Sequence, residues 1–121
     1  MKVLLDTNIL IDFLAGVEPA RELLDRHRDA AVSLVTWIEV LVGARDGSDA
    51  ALLRGFLRGF EVLPIDGAVA EMAVELRREH RVRLPDAIVW ATARVHGRVL
   101  VTRNERDFPA GSDGVLIPYR L

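Results

Sequence analysis

The sequence predicts an α/β fold: three α/β/α layers around a parallel sheet of about five strands. Short apolar runs without polar alternation, such as residues 2–5 and 99–101, read as strands buried on both faces. Longer stretches with helical periodicity lie between them, and strands that alternate with helices pair in parallel through crossovers. The length, 121 residues, suits one domain spanning residues 1–121.

Each element has its own signal. After the first strand (2–5), Asp6, Thr7 and Asn8 are all good helix-start residues, and a short helix over 9–14 ends near Gly16. Pro19 sits where a first helical residue belongs, and the helix continues over 20–27 with Leu23 and Leu24 apolar. Residues 31–35 read as the second strand. Residues 36–44 read as an apolar helix carrying one acid, Glu39, that stops around Gly47. Ser48 is expected to cap the next helix, with Leu52, Leu53, Phe56, Leu57 and Phe60 at core spacing. Residues 61–65 form the third strand. The long helix over 67–81 turns Val69, Met72, Ala73 and Leu76 inward and Glu71, Glu75, Arg78 and Glu79 outward. Pro85 opens a helix that is apolar on most sides and runs to Val95, with Gly97 ending it. Strands at 99–101 and 115–117 flank a polar segment, 102–114. No internal repeat, low-complexity tract or linker interrupts this pattern.

Composition narrows the function. Half the residues (50%) are hydrophobic and 28% are charged, enough to build a core. The absence of cysteine excludes disulfides, thiolate metal sites and cysteine nucleophiles. A net charge of −2 argues against a strongly basic nucleic-acid binder on bulk charge alone. Of the sixteen basic residues only Lys2 is lysine, and arginine suits phosphate contacts. Asp6 and Asp12 interrupt the apolar N-terminal run where a secretory signal carries no acid. No stretch approaches the roughly 18 apolar residues of a membrane span. The protein is therefore expected to be soluble and cytoplasmic.

The acids carry the chemistry. Right-handed crossovers bring every strand's carboxyl end, and the amino ends of the following helices, to one sheet edge, where ligands of open α/β sheets bind. Asp6 follows the first strand, Glu39 lies one turn into the helix after the second, Asp86 is in the first turn of the helix leading to the fourth, and Asp107 follows the fourth. Close carboxylate pairs repel at roughly 4 kcal/mol for a 4 Å separation and an effective dielectric of 20, so such a cluster persists when a multivalent cation neutralises it. Oxygen ligands without histidine or cysteine favour Mg²⁺ or Mn²⁺ over Zn²⁺. Each acid also has a structural reading: Asp6 as a helix cap, Thr36 to Glu39 as a capping box, Asp86 as an acid complementing a helix dipole, and Asn104 to Asp107 as a further cap. Four unrelated caps, however, have no reason to select one edge.

Other candidates read more simply. Asp12 lies two turns into a helix and supports the site or faces solvent. His27, His80 and His96 are scattered surface residues without metal-ligand spacing. Trp37 and Trp90 lie on apolar helix faces, as core residues do. Arg77, Arg78, Arg81 and Arg83 form a basic run at a helix end, a solvated cap or alternatively an RNA-phosphate contact.

Taken in order, the residues resemble the PIN-domain ribonucleases of the VapC type, the toxins of bacterial and archaeal toxin–antitoxin pairs. The segment from Leu4 through Asp6 and Asn8 to Asp12 resembles the family's opening motif, and Ser33, Thr36 and Glu39 its second. Leu84-Pro85-Asp86-Ala87 resembles the third, with His96 and Gly97 at the end of the same helix. Val101, Thr102, Asn104, Asp107 and Phe108 resemble the fourth. The likeness spans essentially the whole chain with no departure at the four acids. It implies a PIN-like fold and catalytic, metal-binding roles for Asp6, Glu39, Asp86 and Asp107, supported through hydrogen bonds by Asn8, Thr102 and Asn104. It also implies a homodimer and a cognate antitoxin that blocks the cleft. The activity it implies is Mg²⁺- or Mn²⁺-dependent endoribonuclease cleavage of transfer, ribosomal or messenger RNA, arresting translation and growth. On this reading Asp6 and Asp86 bridge the central metal. Glu39 orients the water or acts as base, and Asp107 completes a second site. Arg103 and Arg106 hold RNA phosphates.

Two other classes compete. A Mg²⁺-dependent phosphatase with an aspartyl nucleophile needs a second acid where this chain has Asn8, and a phosphate-contacting lysine for which there is no candidate, Lys2 being the only lysine. A non-catalytic module would use the acids only to hold a partner.

Overall fold

A computed structural model describes residues 1–109 and 111–121; Ala110, within the expected polar segment, lies outside the described residues. Among the described residues, five strands, β1 (Val3–Leu5), β2 (Ala31–Ser33), β3 (Glu61–Leu63), β4 (Val99–Val101) and β5 (Val115–Leu116), form one parallel sheet in the order β3-β2-β1-β4-β5. Among the described residues, six helices surround it: α1 (Thr7–Leu14), α2 (Glu18–Arg26), α3 (Leu34–Val42), α4 (Gly47–Leu57), α5 (Gly67–His80) and α6 (Leu84–Val95). The expected three-layer α/β architecture is present.

Strand periodicity divides the core. Leu4 and Leu100 point to one face, where they meet Val69, Ala73 and Leu76 of α5 and Val89 and Trp90 of α6. Val3, Leu5, Val32 and Val101 point to the other, against Ile9 and Leu10 of α1, Leu23 of α2, Val40 of α3 and Leu57 of α4. The first two crossovers step one way across the sheet and the third returns past β1, so right-handedness puts α1–α4 on one face and α5–α6 on the other. The order reverses between β1 and β4, where Asp6 N donates to the Val101 carbonyl at 2.9 Å.

Several local expectations differ, among them the third strand, which ends at Leu63 rather than residue 65. β2 ends at Ser33 rather than residue 35, because the Ser33 hydroxyl accepts from Val35 N (3.1 Å) and starts α3 there. Thr36 is therefore inside the first turn and buried, which removes the Thr36–Glu39 capping box. Asp46, not Ser48, caps α4, its carboxylate accepting from Asp49 N at 2.8 Å. Leu52 is 73% exposed, since α4 sits at the periphery and fully buries only Leu57. β5 ends at Leu116, one residue early. Among the described residues no helix is long and apolar enough to cross a membrane.

Candidate active site

Asp6 ends β1 and caps α1, at the reversal point of the sheet. Its Oδ1 accepts from Thr7 N (2.8 Å), and its Oδ2 from the Thr102 hydroxyl (2.7 Å) and the Asn8 side-chain amide (3.3 Å). Thr102 follows β4 and is fully buried, so the two strands flanking the reversal each supply one half of this contact. Burial pushes the Asp6 carboxyl up, the Thr102 and Thr7 hydrogen bonds oppose that, and the Glu39 charge adds to it. Asn8 also donates to the Thr102 hydroxyl (3.2 Å) and accepts from Arg103 N (3.1 Å), so one amide ties α1 to the turn after β4.

Glu39 is exposed, and its position is set from α1. The Thr7 hydroxyl donates to Glu39 Oε1 at 2.6 Å and pairs with the buried Thr36 hydroxyl at 3.0 Å. Thr7 is thus a site residue that sequence reasoning passed over as a helix starter. Its only sequence signal was a hydroxyl next to a candidate acid.

Asp86, in the first turn of α6, and Asp107 are neighbours. Burial, the charge of Asp6 and a hydrogen bond with Asp107 hold the Asp86 carboxyl up at about 6. The Asn104 amide donates to Asp107 Oδ2 at 2.8 Å and holds that carboxyl below its ordinary range. The expected local cap is also present, with Asp107 N donating to Asn104 Oδ1 at 3.3 Å. Arg83 bridges the pair: Nε reaches Asp86 Oδ2 at 3.2 Å and Nη2 reaches Asp107 Oδ2 at 3.0 Å. Sequence reasoning saw Arg83 only as part of a basic run.

Two adjoining clefts meet here. Asp6, Glu39 and Asp86 line one of about 280 Å³; Asp107, Arg103 and Arg106 line the other, of about 670 Å³. Asn8, Arg83, Arg103 and Asn104 line both. Among the described residues no three acid or histidine side chains stand close enough to hold one ion together as they are placed.

Asp12 is buried rather than solvent-facing. Arg103 grips it through Nε (2.7 Å) and Nη2 (2.9 Å), and the Tyr119 hydroxyl donates to it at 2.7 Å. Arg103 is therefore held by Asp12, whereas Arg106 is exposed and makes no ion pair among the described residues. Trp90 is core, edge-on to Phe108; His80 and His96 are exposed and His27 half-buried.

The model of the PIN domain matches residues 3–111. The chain belongs to the PIN-domain family. Among solved structures, this PIN-domain chain is similar to a toxin–antitoxin complex from Klebsiella pneumoniae, with 43% identity over 98% of this chain and 99% of that one and a TM-score of 0.92. FitAcB from Neisseria gonorrhoeae is 26% identical over 100% of both chains, with a TM-score of 0.83. DNA-bound VapBC from Salmonella typhimurium is 27% identical over 99% of this chain and 98% of that one, with a TM-score of 0.81. No curated protein matches. In this PIN domain the candidate acids come from four different segments and converge on the reversal point, as open α/β sheets place their ligands.

Proposed function

We propose that this PIN-domain protein is a Mg²⁺- or Mn²⁺-dependent endoribonuclease and the toxin of a toxin–antitoxin pair. It would act on cytoplasmic RNA as a homodimer until an antitoxin neutralises it. The observation that carries the reading is the carboxylate group itself: Asp6 and Asp86 are close enough for one charge to raise the other, beside Asp107 and Glu39. Acids gathered at a ligand-binding edge, with Asp6 and Asp86 both held above the ordinary carboxylate range, support reading this edge as a functional site.

The donor set fits a hard divalent ion. It is all oxygen, with carboxylates from Asp6, Asp86, Asp107 and Glu39, and its mutual repulsion calls for positive charge. Holding one ion with three of them requires side-chain adjustment from the present placement. The ion, when bound, lowers the pKa of a coordinated water and offsets charge on the phosphate undergoing attack. The chain's own residues do the rest. Asp6 is fixed by three donors and cannot swing. Glu39, exposed and anchored by Thr7, takes the proton from the attacking water. Arg106, and the Nη1 edge of Arg103 left free by Asp12, hold flanking phosphates in the larger cleft.

An antitoxin partner is supported by the similarity to toxin–antitoxin complexes. It is also supported by exposed apolar side chains on packed helices, namely Ile11 and Leu14 on α1 and Ile38 and Val42 on α3. The test is incubation with total cellular RNA in Mg²⁺, with EDTA and Asp6→Asn as controls. Discrete cuts lost in both controls support the proposal; cleavage that survives both refutes it. Expression in a bacterial host should arrest growth with wild type and not with Asp6→Asn.

A further inference from the structure

Arg83 precedes α6 on extended backbone and is largely exposed along its length, with side-chain exposure of 73%. Its guanidinium nevertheless turns back onto the acids. It is the one cation among the described residues that forms an ion pair with any of Asp6, Glu39, Asp86 and Asp107, and it takes two of them at once. The oxygens it uses are Asp86 Oδ2 and Asp107 Oδ2. Asp107 Oδ2 also accepts from Asn104, so that oxygen already carries two donors.

We propose that Arg83 is a built-in counter-cation of the acid cluster, competing with a divalent ion for Asp86 Oδ2 and Asp107 Oδ2. The inference rests on reading these acids as metal ligands. The competition is steric and electrostatic. A hard cation needs carboxylate oxygens at roughly 2.0–2.6 Å, along the same lone pairs that the guanidinium now occupies. A guanidinium left in place would then lie within a few ångströms of a second positive charge. Its hold is light, because both of its ion pairs are made by a mostly exposed side chain in high dielectric. Displacement is therefore cheap, and the space to receive the guanidinium exists: Arg83 already lines the cleft of about 670 Å³ beside Arg106. Released there, it adds positive charge where an RNA phosphate would lie. The cluster is thereby partly balanced before loading and the phosphate side gains charge on loading.

The test reads metal affinity without RNA. Mn²⁺ binding is measured by the electron paramagnetic resonance signal of the free ion and by calorimetry on the intact protein at about pH 7.5. Arg83→Gln is expected to bind Mn²⁺ roughly 2- to 30-fold more tightly than wild type, the range for losing two exposed ion pairs. Arg106→Gln removes the same charge from the same cleft without touching the acids, and its affinity should stay within roughly 2-fold of wild type. Thermal melts should show a larger Mn²⁺-induced rise for Arg83→Gln than for wild type. Equal or weaker Mn²⁺ binding by Arg83→Gln overturns the proposal. So does equal tightening by Arg106→Gln, which would reveal a general field rather than displacement. If wild type binds no Mn²⁺ that Asp86→Asn abolishes, the metal reading itself fails and this inference with it. Should Arg83→Gln misfold by circular dichroism, Arg83→Lys decides: it keeps the charge but not the two-point grip, so its Mn²⁺ affinity must exceed that of wild type.

Discussion

Asp86→Asn should make the protein more stable while abolishing its function. The Asp86 carboxyl is carried from its ordinary 3.8 to about 6 by burial, by the charge of Asp6 and by its hydrogen bond with Asp107. Between these two values the folded protein holds a proton that the unfolded chain releases. Stability therefore falls as pH rises from about 4 to about 6 and stays low above that. Ionising a carboxyl shifted this far costs about 3 kcal/mol. Asparagine keeps the shape and offers Asp107 an amide donor. What it loses is the ion pair with the mostly exposed Arg83, a contribution below about 1 kcal/mol. The net expectation is a gain of about 2 kcal/mol near pH 7.5, or a Tm higher by roughly 5–10 °C. The gain should vanish near pH 4, where wild type is protonated as well. Urea unfolding followed by circular dichroism at both pH values, with EDTA present, measures the difference. A variant that is less stable than wild type near pH 7.5, or a gain independent of pH, would refute the reasoning. On the proposed function, the EDTA-free folded variant should in addition lose Mn²⁺ binding and RNA cleavage.

Three further outcomes are expected. Asp12→Ala should cost about 2–4 kcal/mol in urea unfolding, because it strands a half-buried arginine and the Tyr119 hydroxyl. Burial pushes the Asp12 carboxyl up, but the Arg103 and Tyr119 hydrogen bonds outweigh that and hold it below its ordinary value; its stabilisation is present above about pH 4 and lost as pH falls further, so wild-type and Asp12→Asn melts should converge in acid. Thr7→Val should lower kcat for RNA cleavage by roughly tenfold by freeing Glu39, with a stability loss of only about 1 kcal/mol, read by comparing single-turnover rates with melts. Arg81→Gly should raise stability by about 1 kcal/mol, since Arg81 closes α5 with φ at 56°, a left-handed conformation that glycine adopts without strain.

What the sequence reveals here follows range along the chain. The central strands β1 and β4 were legible because both sheet faces are covered there, so each is uniformly apolar. Helix starts were less so. Ser33 and Thr36, like Asp46 and Ser48, are equally good caps within three residues of each other, and only where the strand ends or the loop turns selects between them. Leu52 has the spacing of a core residue, but spacing cannot say how much sheet lies beneath α4. The acids were legible because strand ends and helix starts fix their edge without any knowledge of side-chain contacts. Their partners were not. Thr7 reaches Glu39 across 32 positions, and Asp12 meets Arg103 and Tyr119 across 91 and 107. Each of these looks, locally, like an ordinary cap, acid or tail residue.

Those long-range contacts change how the net charge of −2 should be understood. Four acids sit at one edge, and without them the rest of the chain has a small positive balance. That balance is not all available to phosphate: Asp12 neutralises Arg103, and Arg83 is turned onto Asp86 and Asp107. Arg106 alone faces the larger cleft without an ion pair among the described residues. An approaching polyanion therefore meets a site whose repulsion exceeds its attraction unless a cation is added at the acids, which reverses the local field at short range. On the proposed function, RNA affinity and metal loading are then one linked equilibrium. RNA binding should weaken steeply with salt only when the divalent ion is present, because only then does phosphate contact release counterions from the strand.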